Sequence, residues 1–125
     1  MNDDNGRITV SIDLKKNRIR IHKDTLHRLG DPGYIHLLYN PNSATMAVQC
    51  TEVEDKTTFT IKPSQMASEN SIEFYSLSLL NKIRQTYKEL DGHCTYRLFG
   101  SIIPDERLAV FPLNTLQRVD EGESQ

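Results

Sequence analysis

Six basic side chains crowd into one short stretch. Lys15, Lys16, Arg18, Arg20, Lys23 and Arg28 face a single acidic residue, Asp24, between Leu14 and Gly30. The local balance is +5 in a chain whose formal net charge is −2, so the remainder is acidic on balance. Arginine forms paired hydrogen bonds with guanine edges or phosphates, and lysine supplies a point charge. A basic patch on an acidic background is the electrostatic footprint of a site for a polyanion. A solvated sheet face is the other reading such a run allows. With few phosphates contacted per chain, binding is expected to be modest and salt-sensitive.

Other residue types offer less. The histidines His22, His27, His36 and His93 lack the spacing that brings ligands to one point, so no metal site is expected. A protonated His22 could meet a phosphate. Cys50 and Cys94 belong to no Cys-x-x-Cys pair and have no activating base nearby in sequence. They read as reduced, partly buried thiols. Asp105-Glu106 falls in a turn, where carboxylates are ordinarily solvated. Tyr75, Tyr87 and Tyr96 could stack on bases but lack interleaved basic residues. There is no nucleophile elbow, phosphate-binding glycine loop, dinucleotide fingerprint or zinc-protease motif. The expectation is therefore a non-enzyme with no catalytic residue and no cofactor.

The basic residues need a scaffold. Ile19 and Ile21 alternate with Arg18, Arg20 and His22, the period of a half-buried strand, so the arginines should share the outer face. Leu26 and Leu29 are three apart and share a helical face, and Gly30 followed by Asp31-Pro32 ends that helix. Upstream, Ile8, Val10 and Ile12 alternate with Thr9, Ser11 and Asp13, so residues 7–22 read as a hairpin turning at Lys15-Lys16-Asn17. Residues 34–39 are apolar on both faces, which predicts a strand buried on both sides. Asn40-Pro41-Asn42-Ser43 is a turn, and residues 44–50 return as a strand.

Residues 57–62 predict another strand, and residues 63–70 a loop. Leu77, Leu80, Ile83, Tyr87 and Leu90 form one apolar stripe, predicting a single main helix that ends before Asp91-Gly92. Two starts are open: a capping box from Asn70 to Glu73, or a short strand at residues 72–75 with the helix beginning near Ser76. A C-terminal hairpin follows. Tyr96, Leu98 and Ile102 share a face, Gly100 suggests a bulge, and Pro104-Asp105-Glu106 makes the turn. Leu108, Val110 and Phe111 are core candidates, and residues 114–119 read as a helical turn. No residue-level repeat is evident between the two halves.

The segment from Ile8 to about Gln49 resembles the AbrB/MazE-type swapped-hairpin DNA-binding family. Arg18, Ile19, Ile21, Lys23, Asp24, Leu29 and Gly30 match its motif without a gap, and Asp13 falls at a frequently acidic position. Asn17 stands where the family has glycine, and His22 where it has proline. The resemblance implies that two chains interleave their hairpins into one barrel-like core, with basic residues of the hairpin facing DNA. Arg18 is the clearest positional match. The expected partners are double-stranded DNA and a second copy of the chain.

Taken together, the expected fold is mixed α+β and mostly antiparallel. It has an AbrB-like N-terminal ββαββ unit in residues 1–50, then one main helix and a C-terminal β-hairpin in residues 51–119, packed with it as one domain. An acidic tail at residues 120–125 is expected to be disordered. No apolar run approaches a membrane span and the N-terminus does not resemble a signal peptide, so a cytoplasmic location is expected. The expected function is that of a DNA-binding transcriptional regulator-like dimer. The alternative is a non-catalytic interaction or accessory module, antitoxin-like or of mobile-element origin, holding a protein partner through residues 51–119.

Overall fold

The computed structural model describes residues 7–119; the expected acidic tail lies outside them. The described residues form nine strands and three short α-helices. These are β1 (Arg7–Asp13), β2 (Arg18–His22), α1 (Lys23–Arg28), β3 (Tyr34–Asn40) and β4 (Thr45–Thr51). They continue with β5 (Phe59–Thr60), α2 (Pro63–Ser68), β6 (Ser71–Tyr75), α3 (Leu77–Thr86), β7 (Thr95–Ile103), β8 (Leu108–Pro112) and β9 (Gln117–Val119). Among the described residues every strand pairing is antiparallel, so the α+β, mostly antiparallel class holds. No helix among the described residues is long and apolar enough to cross a membrane.

The sheet runs β5-β3-β4-β8-β7-β1-β2-β6, with β9 on β7. Its two end strands come together, because the Phe59 and Phe74 rings pack edge to face with centroids 5.5 Å apart. The sheet thus curls into a nearly closed barrel. Inside is a single apolar core from both halves of the chain, including Ile19, Ile21 and Ile35 from the first and Ile72, Leu98 and Phe111 from the second.

The second half repeats the first. The order β1-β2-α1-β3-β4 recurs as β5-β6-α3-β7-β8, with α2 inserted between β5 and β6. The ladders obey a pseudo-two-fold. Exchanging Ile19 with Ile72, Arg20 with Glu73 and Ile21 with Phe74 maps the β2–β6 ladder onto itself. Exchanging Met46 with Ala109, Ala47 with Val110 and Val48 with Phe111 does the same for β4–β8. The pair Ile35–Phe59 maps onto Leu98–Val10, and Leu38–Ala47 onto Ser101–Val110. Each half's second hairpin turns after a proline, Pro41 or Pro104, and closes on a left-handed residue, Ala44 at φ 50° or Arg107 at φ 48°. The barrel is open where β5 and β6 stand, the counterpart of the β1–β2 hairpin. There α2 and its flanks replace the tight turn of residues 14–17.

Local chemistry explains the elements. Asn17 adopts φ 56°, which its short polar side chain tolerates. The Asp13 carboxylate accepts from the Lys15 and Lys16 amides at 3.1 and 3.2 Å, tightening the same turn. His22 occupies the helix start in proline's place: its Nδ1 accepts from the Asp24 amide at 3.0 Å, so the imidazole caps α1. Gly30, at φ 97°, ends α1. Its amide reaches the His27 carbonyl, and the Asp31 amide reaches that of Leu26.

Several expectations are corrected. Residues 63–70 contain α2 rather than only a loop. The Asn70–Glu73 capping box does not form, because residues 71–75 pair with β2 as β6. The main helix instead starts behind Ser76, whose hydroxyl accepts from the Leu79 amide, and it stops at Thr86, short of Leu90. Leu77 is exposed, while Leu79, Leu80 and Ile83 are buried. On β3 only Ile35 is fully buried, since one face looks to solvent. On β8 the inward residues are Ala109 and Phe111, with Leu108 and Val110 half-buried, as period-2 alternation requires. Residues 114–119 end in a strand, β9, behind a 3-10 turn. Gly100 interrupts nothing in the β1–β7 ladder. It is there because a Cβ would stand 1.9 Å from the Val110 carbonyl oxygen.

Candidate nucleic-acid interface

Arg18 and Arg20, with Arg97, sit on the outer face of the β7-β1-β2-β6 part of the sheet. Val10, Ile12, Ile19, Ile21, Tyr96 and Leu98 point inward and are buried. Their alternates, Thr9, Ser11, Asp13, Arg18, Arg20, Arg97 and Phe99, therefore point outward. The registers align one row across the four strands: Arg97 faces Ser11, Ser11 faces Arg20, and Arg20 faces Glu73. In the next row Thr95 faces Asp13, Asp13 faces Arg18, and Arg18 faces Tyr75. A groove of about 310 Å³ runs over the first row, bounded by Thr9, Ser11, Arg20, His22, Ser71, Arg97 and Phe99. A smaller hollow of about 160 Å³ adjoins it and shares Ser11, Arg20 and Arg97.

The two sequence-picked arginines are engaged within the chain. Arg18 Nε donates to Asp13 Oδ2 at 3.0 Å, and its Nη1 to Glu73 Oε2 at 3.0 Å. Arg20 Nη2 donates to the same Glu73 oxygen at 2.7 Å. The Arg18 side chain is 20% exposed and that of Arg20 42%. The hydrogen bond from Arg20, then the Arg18 and Arg20 charges, hold the Glu73 carboxyl below its ordinary range despite an opposing effect of burial. Burial works against the Arg18 charge, but Glu73 and Asp13 outweigh it and raise its pKa. Of the two, Arg20 is the more exposed, and an exposed ion pair contributes only about 0–1 kcal/mol, so a phosphate can compete for its guanidinium group.

The remaining picks fall into two groups. Lys15 and Lys16 are exposed in the turn that leads into β2, at the Arg18 end of the face. Lys23 and Arg28 ride on α1 and do not line the groove; Arg28 Nε is held by Asp24 at 3.0 Å. Sequence reasoning missed Arg97, Phe99 and Arg7. Arg97 is exposed and makes no ion pair among the described residues. Arg7 stacks over the Phe99 ring with 4.8 Å from its guanidinium carbon to the centroid. Alternation about Tyr96 and Leu98 marks Arg97 and Phe99 as outward, but only the β1–β7 ladder sets them beside Ser11 and Thr9.

Other arginines hold the halves together. Arg84 of α3 donates to the Leu14 carbonyl at 2.8 Å and to Asn17 Oδ1 at 2.9 Å, fixing the β1–β2 turn. Arg107 reaches the Leu29 carbonyl at the end of α1 and the Glu52 carboxylate. Cys50 and Cys94 are free thiols, and burial pushes the Cys50 thiol up to about 11, so it is protonated and unreactive near neutral pH. No group of three or more His, Cys, Asp or Glu among the described residues could hold a metal ion.

The second half pairs both outer edges of the β1–β2 hairpin. β2 is paired on one edge by β1 and on the other by β6, and β1 is paired by β2 and β7. No family model, no curated protein and no solved structure matches this chain.

Proposed function

We propose that this protein is a non-catalytic, transcriptional regulator-like DNA-binding protein that docks duplex DNA on the outer face of β7, β1 and β2. The observation that carries the reading is the row Arg97–Ser11–Arg20, two guanidinium groups flanking a hydroxyl over one groove. Lys15 and Lys16 extend the positive face at the turn. Guanidinium and hydroxyl groups are the ordinary donors to phosphate oxygens. The β-β-α-β-β order of residues 7–51 is the arrangement expected of an AbrB/MazE-type unit and supports the same reading. Asp13 and Glu73 keep the face partly neutralised, which suits modest, salt-sensitive affinity.

The test is fluorescence anisotropy with random-sequence duplex at low salt. Binding that weakens on Arg20→Ala and on Arg97→Ala, and fades as salt rises, supports the reading. No binding at tens of micromolar protein, about the non-specific range for such proteins, overturns it.

A second reading is an accessory module that holds a protein through residues 51–119. Exposed Tyr75 and Leu77 flank Ser76 at the β6–α3 junction, and Val53 and Ile103 are exposed in the same half. Loss of partner capture on Leu77→Asp, in a protein that binds no duplex, would favour it.

A further inference from the structure

A symmetric dimer offers the same side chains to both halves of a palindromic site, which is why operator symmetry mirrors protein symmetry. The pseudo-two-fold of this chain invites the same arrangement, yet its two halves have diverged where charge matters. It carries Arg20 onto Glu73, Arg18 onto Ser71 and Arg97 onto Tyr34. These three arginines therefore have acidic or uncharged counterparts. The exposed Lys15-Lys16 turn has its counterpart in residues 63–70, where α2 stands. Arg20 and Glu73 lie on either side of the axis itself, so the Arg18, Arg20 and Arg97 guanidinium groups collect on one side of it.

The hairpin also has no free edge. A second chain could interleave with β1 and β2 only by displacing β7 or β6 of the same chain.

We infer that a single chain forms the complete DNA-docking unit and that its target is a non-palindromic duplex segment contacted on one side of the pseudo-two-fold. This rests on the DNA-binding reading above and adds the stoichiometry and the symmetry of the target.

The experiment is selection of duplexes from a random library with the full chain, followed by native mass spectrometry of the complex with the best duplex. The expected result is one chain per duplex and an enriched motif without dyad symmetry. Arg97→Ala should weaken that complex about tenfold, the scale of one charge-assisted hydrogen bond, while leaving the circular dichroism spectrum unchanged. Two chains on a palindromic motif would overturn this inference and leave the DNA-binding reading standing. Failure to enrich or bind any duplex would overturn both.

Discussion

Arg20 and Glu73 face each other across the β2–β6 ladder at the position where the two halves of the chain exchange, and an ion pair of 2.7 Å joins them. Glu73 binds Arg18 as well, so one carboxylate restrains two of the guanidinium groups proposed to meet phosphate. Glu73→Gln should release that restraint. Duplex affinity at low salt should rise several-fold, on the order of the 0–1 kcal/mol of an exposed pair, and fall more steeply with added salt. Anisotropy titrations at two salt concentrations check this, and an unchanged or lower affinity would exclude Glu73 as a brake.

The same carboxylate has a signed effect on stability. Its pKa is lowered by the bond from Arg20 and the neighbouring charges, from an ordinary value of 4.5. A depressed folded-state pKa contributes stability that is present above the ordinary value and is lost as pH falls through the folded one. The wild-type advantage over Glu73→Gln should therefore be complete at neutral pH and shrink as pH drops below 4.5. Urea midpoints of the two proteins across that window give the measurement.

Strand facing separates two pairs of substitutions. Arg20→Ala removes a half-exposed side chain and should change stability by no more than about 1 kcal/mol. Ile21→Asp places a carboxylate where Ile21 is fully buried, and should abolish cooperative unfolding. Thermal melts by circular dichroism distinguish them, and the reverse order would mean the face is turned inside out.

Two glycines make a matched control. Gly100→Ala forces a methyl to 1.9 Å from the Val110 carbonyl oxygen, so β7 and β8 must separate. A loss of at least about 3 kcal/mol is expected, at the upper end for an overpacked site. Gly92→Ala meets nothing within 4 Å and should be near neutral. Denaturant midpoints of both variants test the close crossing of these strands.

Short-range order was readable along the chain. The alternation of Ile8, Val10 and Ile12 and of Ile19 and Ile21 determined two strands and their facing, and Gly30 determined the end of α1, because side-chain period and backbone freedom act within a few residues. The same alternation placed Arg18 and Arg20 outside. It could not show that Glu73 would hold them, nor that Arg97 would join them, since those neighbours come from ladders between distant segments. The internal pseudo-two-fold stayed hidden for a related reason. Paired positions such as Arg20 and Glu73, or Val48 and Phe111, share only an inward or outward facing, and the alternation of a strand preserves facing without preserving residue type. Only the closed network of strand pairings, in which each half completes the other's sheet, decided that one chain contains both.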